Sequence, residues 1–260
     1  MGLRNKIKFS EKGSGLNSII CLHGIGGDEK SFSPQLEGLS GSKRIISWNM
    51  PGYNGSKPLE KMTFKNLSNS LLEFMDELEI KKAVLLGQSI GGMIAQELYF
   101  NNPQRVQGLI LIATTSAFGG KNDDFKNLFV KARLEPLNNG KSMNELANLF
   151  IPEILGIYVS SKVKEKAIAS MSNVSEEIYR QVIKCLITFD RYRDFKKISI
   201  PCCLIAGEED KNAPSITMQK MAAQLNKVEF HIIKKAGHLV NLEKPRIVNK
   251  ILLKFLNSNY

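Results

Sequence analysis

Ser89 stands between two glycines in Gly87-Gln88-Ser89-Ile90-Gly91, and a hydroxyl held that way is a candidate nucleophile. The apolar run Ala83-Val84-Leu85-Leu86 precedes it, and the helix-like run Met93-Ile94-Ala95-Gln96-Glu97-Leu98 follows. The chain therefore turns sharply from strand to helix at the serine. Strand and helix approach so closely at such a turn that neighbouring positions have no room for a Cβ. The turn pushes the hydroxyl outward and leaves the Ile90 N–H free to donate. The positive end of the new helix points to the same place. The pattern alone also fits an ordinary turn serine.

Two further features raise it above chance. Leu22-His23-Gly24-Ile25-Gly26-Gly27 follows the strand-like Ser18-Ile19-Ile20-Cys21 and reads as a glycine-rich loop of backbone donors. Gly207-Glu208-Glu209-Asp210 and Ala236-Gly237-His238 each follow a strand-like run, Cys202–Ala206 and Glu229–Ile233. A serine is a poor nucleophile at neutral pH and needs a base and an acid to orient that base. His238 fits the base, since imidazole can take and return a proton. Asp210 fits the orienting carboxylate, which fixes the tautomer and stabilises the imidazolium. Asp190, Asp194, Glu208 and Glu209 are the alternative acids. The Ile25 and Ile90 N–H groups are the expected oxyanion hole, where losing one donor typically costs about 3 to 4 kcal/mol. His23 is expected to support the glycine loop by hydrogen bonds, and His231 to be structural.

The elements that must position these residues alternate. Ser18–Leu22, Arg44–Trp48, Ala83–Leu86 and Leu109–Ala113 read as strands, continuously apolar as in a parallel sheet covered on both faces. Phe64, Leu67, Leu71, Met75 and Leu78 share one helical face. The alternation predicts an α/β fold with a doubly wound, mostly parallel sheet. It breaks over 116–198, which holds helix formers punctuated by Pro136, Pro152 and Asn138-Asn139-Gly140, and reads as a helical insertion. The expected division is core over 1–115, insertion over 116–198 and core again over 199–260. Pro201 opens the next strand, and Pro245 starts the last helix.

The bulk properties exclude several classes. The 260 residues suit one large domain or a core with an insertion. The net charge of +11 comes from scattered lysines with no basic block, so a solvated surface is expected rather than nucleic-acid binding. No apolar run is long enough to span a bilayer, and the basic start lacks the apolar segment of a signal peptide. The four cysteines show no metal-ligand or redox spacing, which predicts reduced, buried thiols in a cytoplasm.

Taken together, these residues resemble the α/β-hydrolase superfamily across nearly the whole chain. The matching pieces are His23-Gly24-x-Gly26-Gly27, Met50-Pro51-Gly52-Tyr53 with Gly55-Ser56, Gly87-Gln88-Ser89-Ile90-Gly91-Gly92-Met93, Asn102-Pro103-Gln104-Arg105-Val106, Gly207-x-x-Asp210, and Gly237-His238 before Glu243-Lys244-Pro245. The order Ser, Asp, His is that of the superfamily. Within it the chain looks most like 3-oxoadipate enol-lactonase-like hydrolases and carboxylesterases. The resemblance implies an α/β-hydrolase fold with 116–198 as a helical cap over the active site. It also implies a small-molecule ester or lactone substrate, an acyl-enzyme intermediate, and neither metal nor organic cofactor. Carbon–carbon bond hydrolases of ring-fission products and slow-turnover small-molecule receptors share the fold and stand as rivals. Asn49 and Gln88 depart from the Asp and His of many relatives, which bears on substrate rather than on the three reactive residues. In the expected cap, Phe118, Tyr158 and Phe189 are candidate substrate contacts. Arg133 is a candidate to grip a substrate carboxylate, with a surface ion pair as its alternative. Arg191 and Arg193, flanked by Asp190 and Asp194, are expected in a salt-bridge cluster. The oligomeric state does not follow from the sequence.

Overall fold

The computed structural model describes residues 6–15, 17–41, 43–119 and 123–260. Among these, seven strands form one sheet: β1 (Phe9–Lys12), β2 (Ser18–Leu22), β3 (Arg44–Trp48), β4 (Ala83–Gln88), β5 (Val106–Ile112), β6 (Cys202–Gly207) and β7 (Val228–Ile233). Their spatial order is β1-β3-β2-β4-β5-β6-β7. All pairings are parallel except β1 with β3, which is antiparallel. Every residue of β2, β4 and β6 is buried, as expected for strands covered on both faces.

The helices are α1 (Ser33–Leu39), α2 (Phe64–Glu77), α3 (Ile90–Asn101), α4 (Asp123–Asn138), α5 (Met143–Ile154), α6 (Ser161–Ser172), α7 (Glu176–Leu186), α8 (Tyr192–Phe195), α9 (Ser215–Ala222), α10 (Val240–Glu243) and α11 (Pro245–Asn259). Alternation along each strand divides the core. Ile20, Leu22, Ile46 and Leu85 pack with α2 and α3, whereas Ile19, Cys21, Ile45 and Leu86 pack with α1 and α11. Thr63 caps α2 by accepting from the Asn66 N–H, and Leu67, Leu71 and Phe74 form its buried face.

Helices α4 to α8 fill the chain between β5 and β6. Ser142, Ser160 and Ser175 cap α5, α6 and α7 with their hydroxyls. Pro136 and Pro152 do not separate helices as expected. Each lies in the last turn of a helix, where the ring forfeits one backbone bond but little helix remains beyond it to be broken. The ends of the segment are closed together. Phe118 N–H donates to Phe189 O at 2.9 Å, and Arg191 N–H to Ser116 O at 2.7 Å. The expected salt-bridge cluster forms only in part: Arg193 is exposed and makes no ion pair among the described residues, whereas the Arg191 guanidinium grips buried Glu97 on α3 through two bonds of 2.8 and 2.7 Å. A weaker contact reaches Asp194 at 3.7 Å. This fork-to-carboxylate pair ties the end of the segment to the helix that begins beside Ser89. Among the described residues, no helix is long and apolar enough to cross a membrane.

Candidate active site

Ser89 sits at the tip of β4, where φ is 55° and ψ is −124°. A non-glycine residue in that region costs about 1 to 3 kcal/mol and persists only where its surroundings over-determine it. Here they do. The Ser89 N–H donates to Ile112 O at 2.9 Å, and the Ser89 carbonyl accepts from Thr114 Oγ1 at 2.7 Å and Gly92 N–H at 2.9 Å. The flanking glycines are steric requirements. A Cβ at Gly91 would lie 2.0 Å from Leu22 O, and one at Gly87 would lie 2.4 Å from the Gly91 carbonyl carbon.

The two candidate oxyanion donors are unspent. Ile90 opens α3, so its N–H has no carbonyl one turn earlier to bond. Ile25 lies in the turn after β2 and lines the same cavity as Ser89. Among the described residues, neither N–H donates to another group. The Ile25 loop is held by His23, as expected. The Met50 N–H donates to His23 Nε2 at 2.9 Å, so the proton must sit on Nδ1, which donates to Gly24 O at 2.7 Å. Burial, the largest influence, pushes the His23 pKa down, consistent with this neutral ring.

His238 and Asp210 meet on loops at the ends of β7 and β6. His238 Nδ1 lies 2.8 Å from Asp210 Oδ2. The other oxygen, Oδ1, accepts the N–H groups of Asn212 and Ala213 at 2.8 and 3.1 Å. Burial works to raise the Asp210 pKa. The adjacent imidazole and the two backbone N–H groups outweigh it, so the carboxyl stays below the ordinary carboxylate range. An ionised Asp210 accepts only, which places the ring proton on Nδ1 and leaves the Nε2 lone pair for a proton from elsewhere. His238 and Ser89 line one cavity of about 720 Å³. Among the described residues the Ser89 hydroxyl has no hydrogen-bond partner, so its bond to His238 is not formed. Such bonds are commonly loose without substrate and tighten in the complex.

Three acidic side chains not assigned to the chemistry serve elsewhere. Asp190 caps the Tyr192 N–H, Asp194 pairs with Lys197 and Arg191, and Glu208 accepts from the Lys235 N–H. Gln88 and Asn49, the two departures, are both engaged. Gln88 Nε2 donates to His238 O at 3.0 Å, and Asn49 Oδ1 accepts from the Glu29 N–H at 2.8 Å.

Of the expected substrate contacts, Arg133 and Phe118 line the cavity. Tyr158 and Phe189 do not. Tyr158 follows the end of α5 and is 64% exposed, with Lys235 Nζ 4.8 Å from its ring centre. Phe189 turns into the core, 4.7 Å from the Phe64 ring, because the segment closes there through its carbonyl.

Two residues near the site escaped sequence reasoning. Glu243 accepts three backbone N–H groups: Gly156 and Gly237 on Oε2 at 2.8 and 2.9 Å, and Leu239 on Oε1 at 3.1 Å. It brackets His238 and ties it to the turn after α5. The same turn is tied by Glu209 to the Ile157 N–H and by the His238 N–H to Ile154 O. Burial raises the Glu243 pKa, and its hydrogen bonds only partly offset this. The one signal was its place five residues after His238, just before Pro245. Tyr179 on α7 also lines the cavity, and nothing in its helical spacing marked it out.

A seven-stranded, mostly parallel sheet with a strained serine at a strand-to-helix turn defines an α/β hydrolase. The family described as alpha/beta hydrolase fold matches residues 17–245, and the chain belongs to it. It is similar to 3-oxoadipate enol-lactonase 1 of Acinetobacter baylyi, at 26% identity over 93% of this chain and 89% of the relative. It is also similar to karrikin insensitive 2 receptor IA of Petunia hybrida, at 22% identity over 99% of this chain and 96% of the receptor. Among solved structures, a thermophilic esterase from Thermogutta terrifontis superposes with a TM-score of 0.89. Its identity is 22%, covering 97% of this chain and 93% of the esterase.

Proposed function

We propose that this protein is a serine hydrolase of small carboxylic esters or lactones, with Ser89 as nucleophile, His238 as base and Asp210 as orienting acid. One observation carries the reading. A strained serine, the unspent Ile25 N–H and an imidazole locked by a buried carboxylate share a single cavity, and the unspent Ile90 N–H follows the serine directly in the chain. Ser89 Oγ attacks the carbonyl carbon while its proton passes to His238 Nε2. The carbonyl oxygen gains the negative charge and accepts from the Ile25 and Ile90 N–H groups. The imidazolium protonates the leaving oxygen, and an acyl-serine remains. Water, deprotonated by the same ring, releases the acid and restores Ser89. In this reading, helices α4 to α8 cap the cavity and shield the acyl-enzyme. The buried thiols, with Cys185 and Cys202 pushed up to about 12 by burial, take no part and suit a reducing cytoplasm.

Ser89→Ala is expected to abolish turnover of a short-chain aryl ester while the thermal unfolding curve stays cooperative. An organophosphate should label wild-type protein once, at Ser89. Retention of most activity in Ser89→Ala would overturn the assignment. A slow-turnover receptor is the second reading, favoured by the similarity to a plant receptor. Many turnovers per site on an aryl ester would exclude it, whereas a single burst would favour it.

A further inference from the structure

Among the described residues, Arg133 is a cation without an anion. It lies on α4, lines the cavity that holds Ser89, and makes no ion pair or hydrogen bond among the described residues. Its guanidinium packs instead on phenyl rings, 4.2 Å from the Phe150 centre and 5.4 Å from that of Phe129. The rings engage the planar face and leave the N–H donors at the edge unspent. A charge drawn partly out of water is costly unless something pairs with it.

Tyr179 supplies a second donor. It is 2% exposed and lines the cavity, and its hydroxyl has no partner among the described residues. Burial pushes its pKa up to about 12, with Arg133 acting in the opposite sense, so the phenol stays neutral beside the guanidinium. The rim carries the same sign. Lys30, Lys162, Lys166 and Lys211 line it, and none is ion-paired among the described residues. Asp28 is the one acidic side chain of the described lining, and its Oδ1 already accepts the Lys30 N–H.

We infer that the substrate of the Ser89 site carries an anionic group, a carboxylate remote from the scissile carbonyl, held by Arg133 and Tyr179. This narrows the serine-hydrolase reading and rests on it. A planar fork of donors matches a carboxylate in two places, and the lysine rim raises the local concentration of anions.

The test compares two p-nitrophenyl esters of glutaric acid, one with the far carboxylate free and one with it methylated. Wild-type kcat/KM is expected to favour the free acid at least about tenfold at low salt, and less as ionic strength rises. Arg133→Met should cut that ratio about 10- to 100-fold, as expected for a charged hydrogen bond, and Arg133→Lys should cut it less. Tyr179→Phe, which keeps the ring, should cut it several-fold and serves if Arg133→Met fails to fold. Glutarate titrated calorimetrically into the Ser89→Ala protein gives a readout free of turnover: binding is expected, and its loss on adding Arg133→Met. Equal rates on both esters, or a ratio and glutarate affinity that Arg133→Met leaves unchanged, would overturn the inference while keeping the hydrolase. Glutarate binding without hydrolysis of either ester would support the anion site and overturn the hydrolase.

Discussion

Asp210→Asn isolates the step on which the proposed chemistry depends, because the loop dictates how the new amide must lie. Asp210 Oδ1 accepts two backbone N–H groups, and Oδ2 faces His238 Nδ1. An asparagine keeps one acceptor oxygen. Turning its NH₂ toward Asn212 and Ala213 would strand two N–H groups at about 1 to 3 kcal/mol each. The amide oxygen therefore takes the Oδ1 position, and the NH₂ donates to His238 Nδ1. That forces the ring proton onto Nε2, the atom that accepts from Ser89 in the proposed mechanism. The same tautomer error in a Ser-His-Asp enzyme lowers kcat about 10⁴-fold, close to 5 kcal/mol of barrier. The expected outcome is a kcat down about 10³- to 10⁴-fold on a short aryl ester, normalised to correctly folded protein by circular dichroism. Labelling by organophosphate should slow in proportion. A kcat within tenfold of wild type, with the fold intact, would refute the tautomer reasoning and the role of Asp210.

Two more expectations concern stability. The lowered Asp210 pKa contributes stability that is present above the unfolded value of about 3.9 and lost as pH falls through the folded value. The raised Glu243 pKa contributes stability present below about 4.3 and lost as pH rises through the folded value. Urea unfolding between about pH 3 and pH 7 should therefore show Asp210→Asn losing ground to wild type as pH rises, and Glu243→Gln gaining it; slopes of the same sign would contradict the assignment. Gly91→Ala places a Cβ 2.0 Å from Leu22 O, backbone against backbone, where no side chain can swing aside. It should cost upwards of about 3 kcal/mol and reduce activity by displacing the elbow, and a urea midpoint near wild type would show that α3 and β2 can part.

Most of the sheet was readable along the chain because buried parallel strands are largely runs of apolar residues, and β2 to β6 coincide with such runs; the edge strand β7 is mostly half-buried and interleaves Glu229 and His231 with apolar residues. The edge strand β1, Phe9-Ser10-Glu11-Lys12, was not readable. Three of its four residues are polar, and only its antiparallel register against β3 makes it a strand. Helices α1 and α9 are short and likewise take their form from the surfaces they cover.

The placement of the candidate residues was legible in the sequence: the serine between glycines at a strand-to-helix turn, and the acid and histidine on loops after their strands. Backbone geometry at a tight turn admits few residue types, so the residues report it. Tertiary structure alone decided what lies beside them. Which face of α4 or α7 turns inward depends on how helices dock, so Arg133 and Tyr179 reach the cavity while Tyr158 and Phe189 do not. Glu243 shows the same limit. Its three N–H partners come from Gly156, Gly237 and Leu239, and the contact with Gly156 spans 87 residues. A carboxylate's partners in space leave no local pattern for the chain to display.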